Sequence, residues 1–158
     1  MKKLLVVLLI LLLSITFSSC ATVKEDIAFS GDRSDIQSIE IYGLDKAYYE
    51  GNISKMRQEN EPICIFDAQE HSDFIESISS LEFEKEKVFF PIPMDGGYDY
   101  SGYVIALVYS NGSYDIIAEE GLYSCSVGNN GKTRHKYDHS DYCGEKSWVD
   151  FIEEYIEN

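Results

Sequence analysis

The chain lacks the compact catalytic motifs that identify several enzyme classes from sequence. It contains no Gly-x-Ser-x-Gly, no Ser-x-x-Lys, no His-Glu-x-x-His and no Gly-x-x-x-x-Gly-Lys. These absences argue against a nucleophile-elbow hydrolase, a β-lactamase-like enzyme, a zinc protease and a P-loop nucleotidase. The turn-rich stretch Asp95-Gly96-Gly97 also lacks the alternating oxygen ligands of a calcium-binding loop. No catalytic residue is therefore assigned from the sequence.

Basic residues are scarce, with 13 Lys and Arg against 28 Asp and Glu and a net charge of −15. Nucleic acid is a poor partner for such a chain, because its phosphates would be repelled. An acidic surface can attract cationic peptides, and it also keeps an exported domain soluble. Aromatic residues are plentiful, with 12 Tyr and 8 Phe, and such a composition predicts a folded protein.

Long apolar runs are also missing, apart from one at the N-terminus. Lys2 and Lys3 precede an apolar stretch that begins at Leu4 and ends near Phe17. A helix that crosses the hydrocarbon core needs about 20 apolar residues, so this stretch is too short for a permanent span. The order of positive charge, apolar run and small residues is that of a signal peptide, and the two lysines predict export of everything that follows.

The signal segment ends in Phe17-Ser18-Ser19-Cys20, which resembles the lipobox of bacterial prolipoproteins. The resemblance implies that the thiol of Cys20 receives a diacylglyceryl group and that residues 1–19 are removed. The mature chain would then have 139 residues and a charge of −17, because Lys2 and Lys3 leave with the leader. It would carry palmitate and be lipid-anchored at the outer face of the cytoplasmic membrane or in the cell envelope. The alternative is ordinary secretion with cleavage after Ala21.

The remaining sequence predicts one tethered domain. Residues 1–19 form the signal peptide, residues 20–35 a polar lipidated tether, and residues 36–158 a single domain. A flexible coil of about 15 residues would span roughly 20 Å on average.

Apolar alternation predicts strands and helices in the order of an α+β fold. Asn111-Gly112 between two extended runs predicts a hairpin turn with positive φ at both residues. Capping-box spacing at Asp67 and Ser147 predicts two amphipathic helices, the first ending near Leu81. We therefore expect a mostly antiparallel sheet of five or six strands with two amphipathic helices packed on it. The predicted strands cover residues 36–42, 63–66 (a buried strand), 87–92, 103–109, 114–120 and 122–127, and residues 128–145 are expected to form a polar loop.

Cysteine pairing is one alternative for the 128–145 loop. If Cys20 is acylated, three cysteines remain in an oxidising compartment. Cys125 and Cys143 flank the loop, and a disulfide between them would stabilise the fold by roughly 3 kcal/mol. Cys64 lies in an apolar run and is expected in the core.

A metal site is the competing alternative for the same loop. His135, His139 and Cys143 are spaced i, i+4, i+8, so on a helix they would share one face. Imidazole and thiolate are suitable ligands for zinc or copper. Because Cys143 cannot serve both sites, the metal site and the disulfide exclude each other.

Three functions are compatible with these features. The leading hypothesis is a membrane-anchored binding or interaction module, whose partner would be an envelope protein or a cationic peptide. The second is a surface metal-binding protein that uses zinc or copper. The third is an envelope hydrolase, for which no spacing of carboxylates provides support.

Overall fold

The computed structural model describes residues 22–86 and 99–157, which form a mixed α+β fold with antiparallel sheets. The strands are β1 (Thr22–Asp26), β2 (Ile36–Tyr48), β3 (Cys64–Asp67), β4 (Glu82–Glu86), β5 (Tyr100–Tyr109), β6 (Tyr114–Ala118), β7 (Gly121–Val127), β8 (Thr133–Asp138) and β9 (Asp141–Tyr142); the α-helices are α1 (Met56–Glu59), α2 (Ser72–Ser79) and α3 (Trp148–Ile156). The larger sheet has the spatial order β3-β2-β5-β6-β7-β8, and the smaller sheet has the order β1-β4-β9. The predicted α+β class with mostly antiparallel strands is confirmed, whereas the described residues form two sheets and three α-helices in place of the expected one sheet and two helices.

The six-stranded sheet is covered on both faces. Ile105 and Leu107 of β5 point to the side that packs against α2 and α3, and we call this side the helix face. Val104 and Ala106 point to the other side, where tyrosine side chains and the short helical segments around α1 pack. We call this side the tyrosine face. Alternation along each strand therefore decides which face each side chain reaches.

The central hairpin has the predicted position but a different turn. β5 and β6 pair with Val108 opposite Tyr114. Gly112 has φ +82°, whereas no described residue other than glycine has positive φ. The amide of Gly112 donates to the carbonyl of Tyr109 at 2.9 Å. This is a three-residue loop in which only the last residue is left-handed, so the expectation of positive φ at Asn111 was wrong.

β2 extends beyond the predicted end at Gly43 and reaches Tyr48. Its continuation pairs with the start of β5, where Tyr48 lies opposite Tyr100 after a register shift. Long-range pairing thus extends the strand through a glycine that would usually end it.

β3 lies at the edge of the large sheet and one of its faces is exposed, in contrast to the predicted buried strand. Cys64 and Phe66 pack against the helix-face core, in agreement with the expectation for Cys64. Ile63 and Ile65 are 53% and 61% exposed. A continuous apolar run therefore does not show whether both faces of a strand are covered.

The first predicted helix is shorter than expected. The carboxylate of Asp67 accepts a hydrogen bond from the amide of Gln69 at 2.8 Å, so it stabilises a turn and does not cap the helix. α2 begins at Ser72 and ends at Ser79, and β4 follows from Glu82.

The C-terminal helix is confirmed. The hydroxyl of Ser147 accepts a hydrogen bond from the amide of Asp150 at 3.1 Å, which caps α3. Trp148 is buried, and its indole N–H donates to the carbonyl of Tyr103 on β5 at 2.7 Å. This bond fixes α3 on the helix face of the sheet.

The N-terminal segment differs from the expected tether. Residues 22–26 form β1, which pairs with β4, and Ile27 is buried. Lys24 and Glu82 form an ion pair at 2.5 Å across these strands. The sequence did not reveal β1 as a strand, because its partner strand β4 lies about sixty residues away in the chain.

The predicted strand at residues 87–92 and the predicted turn at residues 95–97 lie outside the described residues, as do the expected signal peptide and Cys20. Within the part of the chain that is described, no helix has both the length and the apolar character needed to cross a membrane.

Candidate functional site

The stretch expected as a polar loop contains the outermost strand of the large sheet. A turn at Gly128–Gly131 reverses the chain: the amide of Gly128 donates to the carbonyl of Lys132 at 2.9 Å, and Gly131 has φ +72°. The side chain of Asn130 accepts from the amide of Lys132 at 3.1 Å. β8 then pairs with β7 along its whole length and ends the sheet. The expectation of a loop over residues 128–145 was therefore wrong.

β8 carries a row of cations in an otherwise acidic protein. Lys132 ends the turn, and Arg134 and Lys136 follow at alternate positions, so the three share the helix face of the sheet. Alternate residues of a strand are about 7 Å apart. Of the 13 Lys and Arg residues, two are Lys2 and Lys3, and three of the other 11 are in this row. We call the three side chains the cationic row.

The cationic row is weakly neutralised. In the part of the chain that is described, Lys132 and Arg134 form no ion pair, and the ammonium of Lys136 lies 3.5 Å from the carboxylate of Asp138. Asp138 also pairs with Lys85. Positive charge therefore remains available along the row.

The row borders an open groove on the helix face. The groove consists of two adjoining hollows of about 390 and 380 Å³ that share Ser126 and Arg134. None of the described residues that line the two hollows is Asp or Glu, so an anionic group in the groove would contact no acidic side chain of the lining. The lining comprises Ala28, Phe29, Ser30, Ser124, Ser126, Val127, Gly128, Asn129, Asn130 and the residues Lys132, Arg134, His135 and Lys136.

A buried carboxylate holds the wall opposite the cationic row. Asp115 of β6 is 4% exposed, and its Oδ2 accepts from the amide of Ser30 at 2.9 Å and from the hydroxyl of Tyr109 at 2.6 Å. Burial, together with the hydrogen bond to Asp115, raises the pKa of Tyr109, so this hydroxyl stays a donor. Arg33 adds a further cation, since its guanidinium lies 5.3 Å from the centre of the Phe29 ring.

The outer edge of β8 presents unpaired backbone groups. The backbone hydrogen bond from Gly128 to Lys132 shows that Lys132 directs its backbone groups toward β7. Backbone groups alternate in direction along an antiparallel strand, so Arg134 and Lys136 also direct their N–H and C=O groups toward β7. The backbone groups of Thr133, His135 and Tyr137 consequently point away from the sheet. No described strand pairs with this edge.

On the tyrosine face, β8 is supported by aromatic contacts. The hydroxyl of Tyr123 lies 2.7 Å from Nδ1 of His135, and the rings of Tyr123 and Tyr137 are 5.0 Å apart. Burial, followed by hydrogen bonding with Tyr114, raises the pKa of Tyr123. These contacts hold the edge strand in place from behind the groove.

The residues expected to bind metal do not lie on a helix. His135 is on β8, His139 follows it with Nδ1 3.0 Å from the carbonyl of Glu120, and Cys143 follows β9. The amide of Cys143 donates to the carbonyl of Glu82 in the small sheet. The described residues contain no cluster of three metal-ligating side chains. The i, i+4 spacing loses its meaning in a strand, and binding of zinc or copper stays a sequence-based prediction.

The expected disulfide is also not formed. Cys64, Cys125 and Cys143 are free thiols. Cys125 is buried in the core of the tyrosine face, whereas Cys143 lies beside β4, α2 and α3 on the other side of the large sheet.

The cationic row and the groove were missed from the sequence. The sequence indicated them only through charged residues at every second position, Lys132-x-Arg134-x-Lys136, after a glycine-rich turn. Alternation with a period of two is typical of a strand, but here the charged residues alternate and the hydrophobic residues do not.

Comparison with models of known protein families, with curated proteins and with solved structures finds no match for this chain.

Proposed function

We propose that the protein is a lipoprotein anchored through Cys20 outside the cytoplasmic membrane, and that its folded domain binds another protein of the cell envelope. The observation that carries the binding role is the open edge of β8 beside a groove that is lined by cations and hydroxyls. Sheet edges with free backbone groups are used by many domains to capture extended segments.

The anchor and the domain would be close together. β1 begins at Thr22, two residues after Cys20. Two extended residues span at most about 7 Å, so the folded domain would lie next to the lipid headgroups.

Metabolic labelling tests the anchor. Cells that express the full chain are fed labelled palmitate, and the protein is compared with its Cys20→Ala variant. We expect label in the wild type alone and loss of the variant from the membrane fraction. Equal labelling of the two proteins, or an unacylated mature chain that begins at Thr22, would refute the anchor.

Site-specific photocrosslinking on intact cells tests the binding role. A photoreactive residue is placed at Thr133 on the open edge of β8, and a control is placed at Val149, which is 44% exposed on α3. We expect one discrete adduct at Thr133 that is lost when Arg134 and Lys136 are both changed to Glu, and no adduct at Val149. Equal adducts at both positions would contradict a specific binding edge.

A further inference from the structure

We infer that β8 takes up an extended acidic segment of a partner protein as a seventh strand of the large sheet. This inference rests on the proposed binding function and names the chemistry of its partner. It is argued from the backbone of β8, from the spacing of its charges and from the charge of the rest of the molecule.

The backbone of β8 is prepared for strand addition. The outward N–H and C=O groups of Thr133, His135 and Tyr137 repeat at every second residue, which is the arrangement that an antiparallel partner requires. Residues 133–136 are exposed. The contacts of Tyr123 and Tyr137 on the tyrosine face keep the strand in place before a partner arrives.

The spacing of the cationic row matches that of an added strand. In antiparallel pairing, residues of the new strand opposite Lys132, Arg134 and Lys136 would occupy non-hydrogen-bonded positions, where side chains approach most closely. The side chains that meet these cations would themselves be about 7 Å apart. Aspartate or glutamate at every second position therefore satisfies all three cations at once. The groove beside them supplies Ser124 and Ser126 as additional donors.

A second copy of this chain is the wrong occupant for the edge. In the register that uses all three outward residues, centred on His135, antiparallel pairing of β8 with its own copy would place Arg134 opposite Lys136, and like charges directly opposite are destabilising. The absence of carboxylates from the lining of the two hollows points instead to an external anionic group.

The charge of the whole molecule favours a short acidic segment over a long polyanion. The mature chain would carry −17, so a phosphate polymer that extends beyond the groove would meet repulsion from the remaining surface. A peptide strand can be neutral outside the contact and also uses the outward backbone groups of β8, which a phosphate polymer cannot pair in a ladder.

The test uses the mature protein, beginning at Cys20, in detergent micelles and fluorescein-labelled synthetic peptides. The first peptide alternates Val and Glu with three glutamates, and a control peptide has the same composition with its glutamates adjacent. Two further versions of the alternating peptide carry N-methyl groups. One is methylated on the valine amides, which would face β8, and the other on the glutamate amides, which would face solvent.

Binding is measured by fluorescence anisotropy. We expect the alternating peptide to bind at least tenfold more tightly than the control of adjacent glutamates. Methylation of the valine amides should weaken binding at least tenfold, whereas methylation of the glutamate amides should change it less than threefold. Arg134→Glu with Lys136→Glu should weaken it at least tenfold, and the matched surface change Lys55→Glu should leave it unchanged.

Three outcomes would overturn the inference. They are equal affinity for both peptide orders, equal effects of the two methylations, and tighter binding of inorganic polyphosphate than of the alternating peptide. A discrete crosslink at Thr133 on cells, obtained together with any of these, would retain the binding function and reject the acidic strand. Loss of the palmitate label would instead reject the anchor alone.

Discussion

Replacement of Asp115 by alanine should both destabilise the protein and release one wall of the groove. The carboxylate is buried and holds two donors, the amide of Ser30 and the hydroxyl of Tyr109. In Asp115→Ala the Tyr109 hydroxyl stays buried without its acceptor, and the segment that carries Ser30 loses its attachment to β6.

The magnitude follows from these two bonds. Hydrogen bonds to charged groups contribute about 1.5–3 kcal/mol each, so their loss costs roughly 3–6 kcal/mol. In the wild type, Oδ1 of the buried Asp115 carboxylate has no hydrogen-bond partner in the described part of the chain. The variant no longer buries this charged group, which offsets part of the cost of the two lost hydrogen bonds. We expect a net loss of about 2–4 kcal/mol in the free energy of unfolding. Tyr109→Phe breaks one of the bonds and should cost about 1.5–3 kcal/mol.

Urea denaturation followed by circular dichroism measures both changes, and an unchanged m-value is required for the comparison. The double variant should cost about as much as Asp115→Ala alone, because both substitutions remove the same bond. Tryptic cleavage after Arg33 should be faster in Asp115→Ala than in Tyr109→Phe, since Ser30 is released only in the former. Additive costs in the double variant, or unchanged cleavage, would refute the role assigned to Asp115.

Three further predictions concern the framework of the fold. Trp148→Phe should cost about 1–2 kcal/mol through loss of the indole bond to Tyr103, and Trp148→Ala about 3–5 kcal/mol; denaturation followed by circular dichroism distinguishes them, and equal costs would count against the bond. Burial opposes ionisation of Glu40, but hydrogen bonds from Arg57 and Tyr42 outweigh it and hold the pKa of this carboxyl below 4.5. The stability that it contributes should be complete above pH 4.5 and decline as the pH falls below that value, and Glu40→Gln should show a smaller decline across that window. Burial raises the pKa of the Cys143 thiol, so iodoacetamide at pH 7 should label Cys143 slowly and Cys125 only after unfolding, whereas a Cys125–Cys143 bridge in peptide maps would contradict both free thiols.

Local signals predicted the centre of the fold correctly. β5, β6 and β7 combine alternating apolar residues with Asn111-Gly112, and α3 combines a serine cap with one apolar face. Such elements are specified by residues close in sequence, so their position follows from periodicity and turn chemistry alone.

The edges of the fold could not be predicted in the same way. β8 reads Thr-Arg-His-Lys-Tyr-Asp, and because an edge strand needs little apolar surface, hydrophobic alternation does not reveal it. β1 is short and polar, and it is a strand because it pairs with the distant β4. β3 shows the opposite error, since its apolar run predicted burial of Ile63 and Ile65 that the sheet edge does not provide. The candidate site lies at such an edge, and the patterns that located the core therefore missed it.

Anchoring through Cys20 would fix the position of the groove relative to the membrane. β1 begins two residues after Cys20, and the chain then continues into the segment Ala28–Ser30 that forms one wall of the groove. From Thr22 to Ala28 the extended chain spans at most about 20 Å, and its first five residues are held by pairing with β4. A flexible tether would let the site sample a range of heights above the bilayer. A paired strand would not, so under the proposed anchoring a partner would have to present its acidic segment within a few tens of ångströms of the lipid surface, which would favour a partner that is itself held at the membrane.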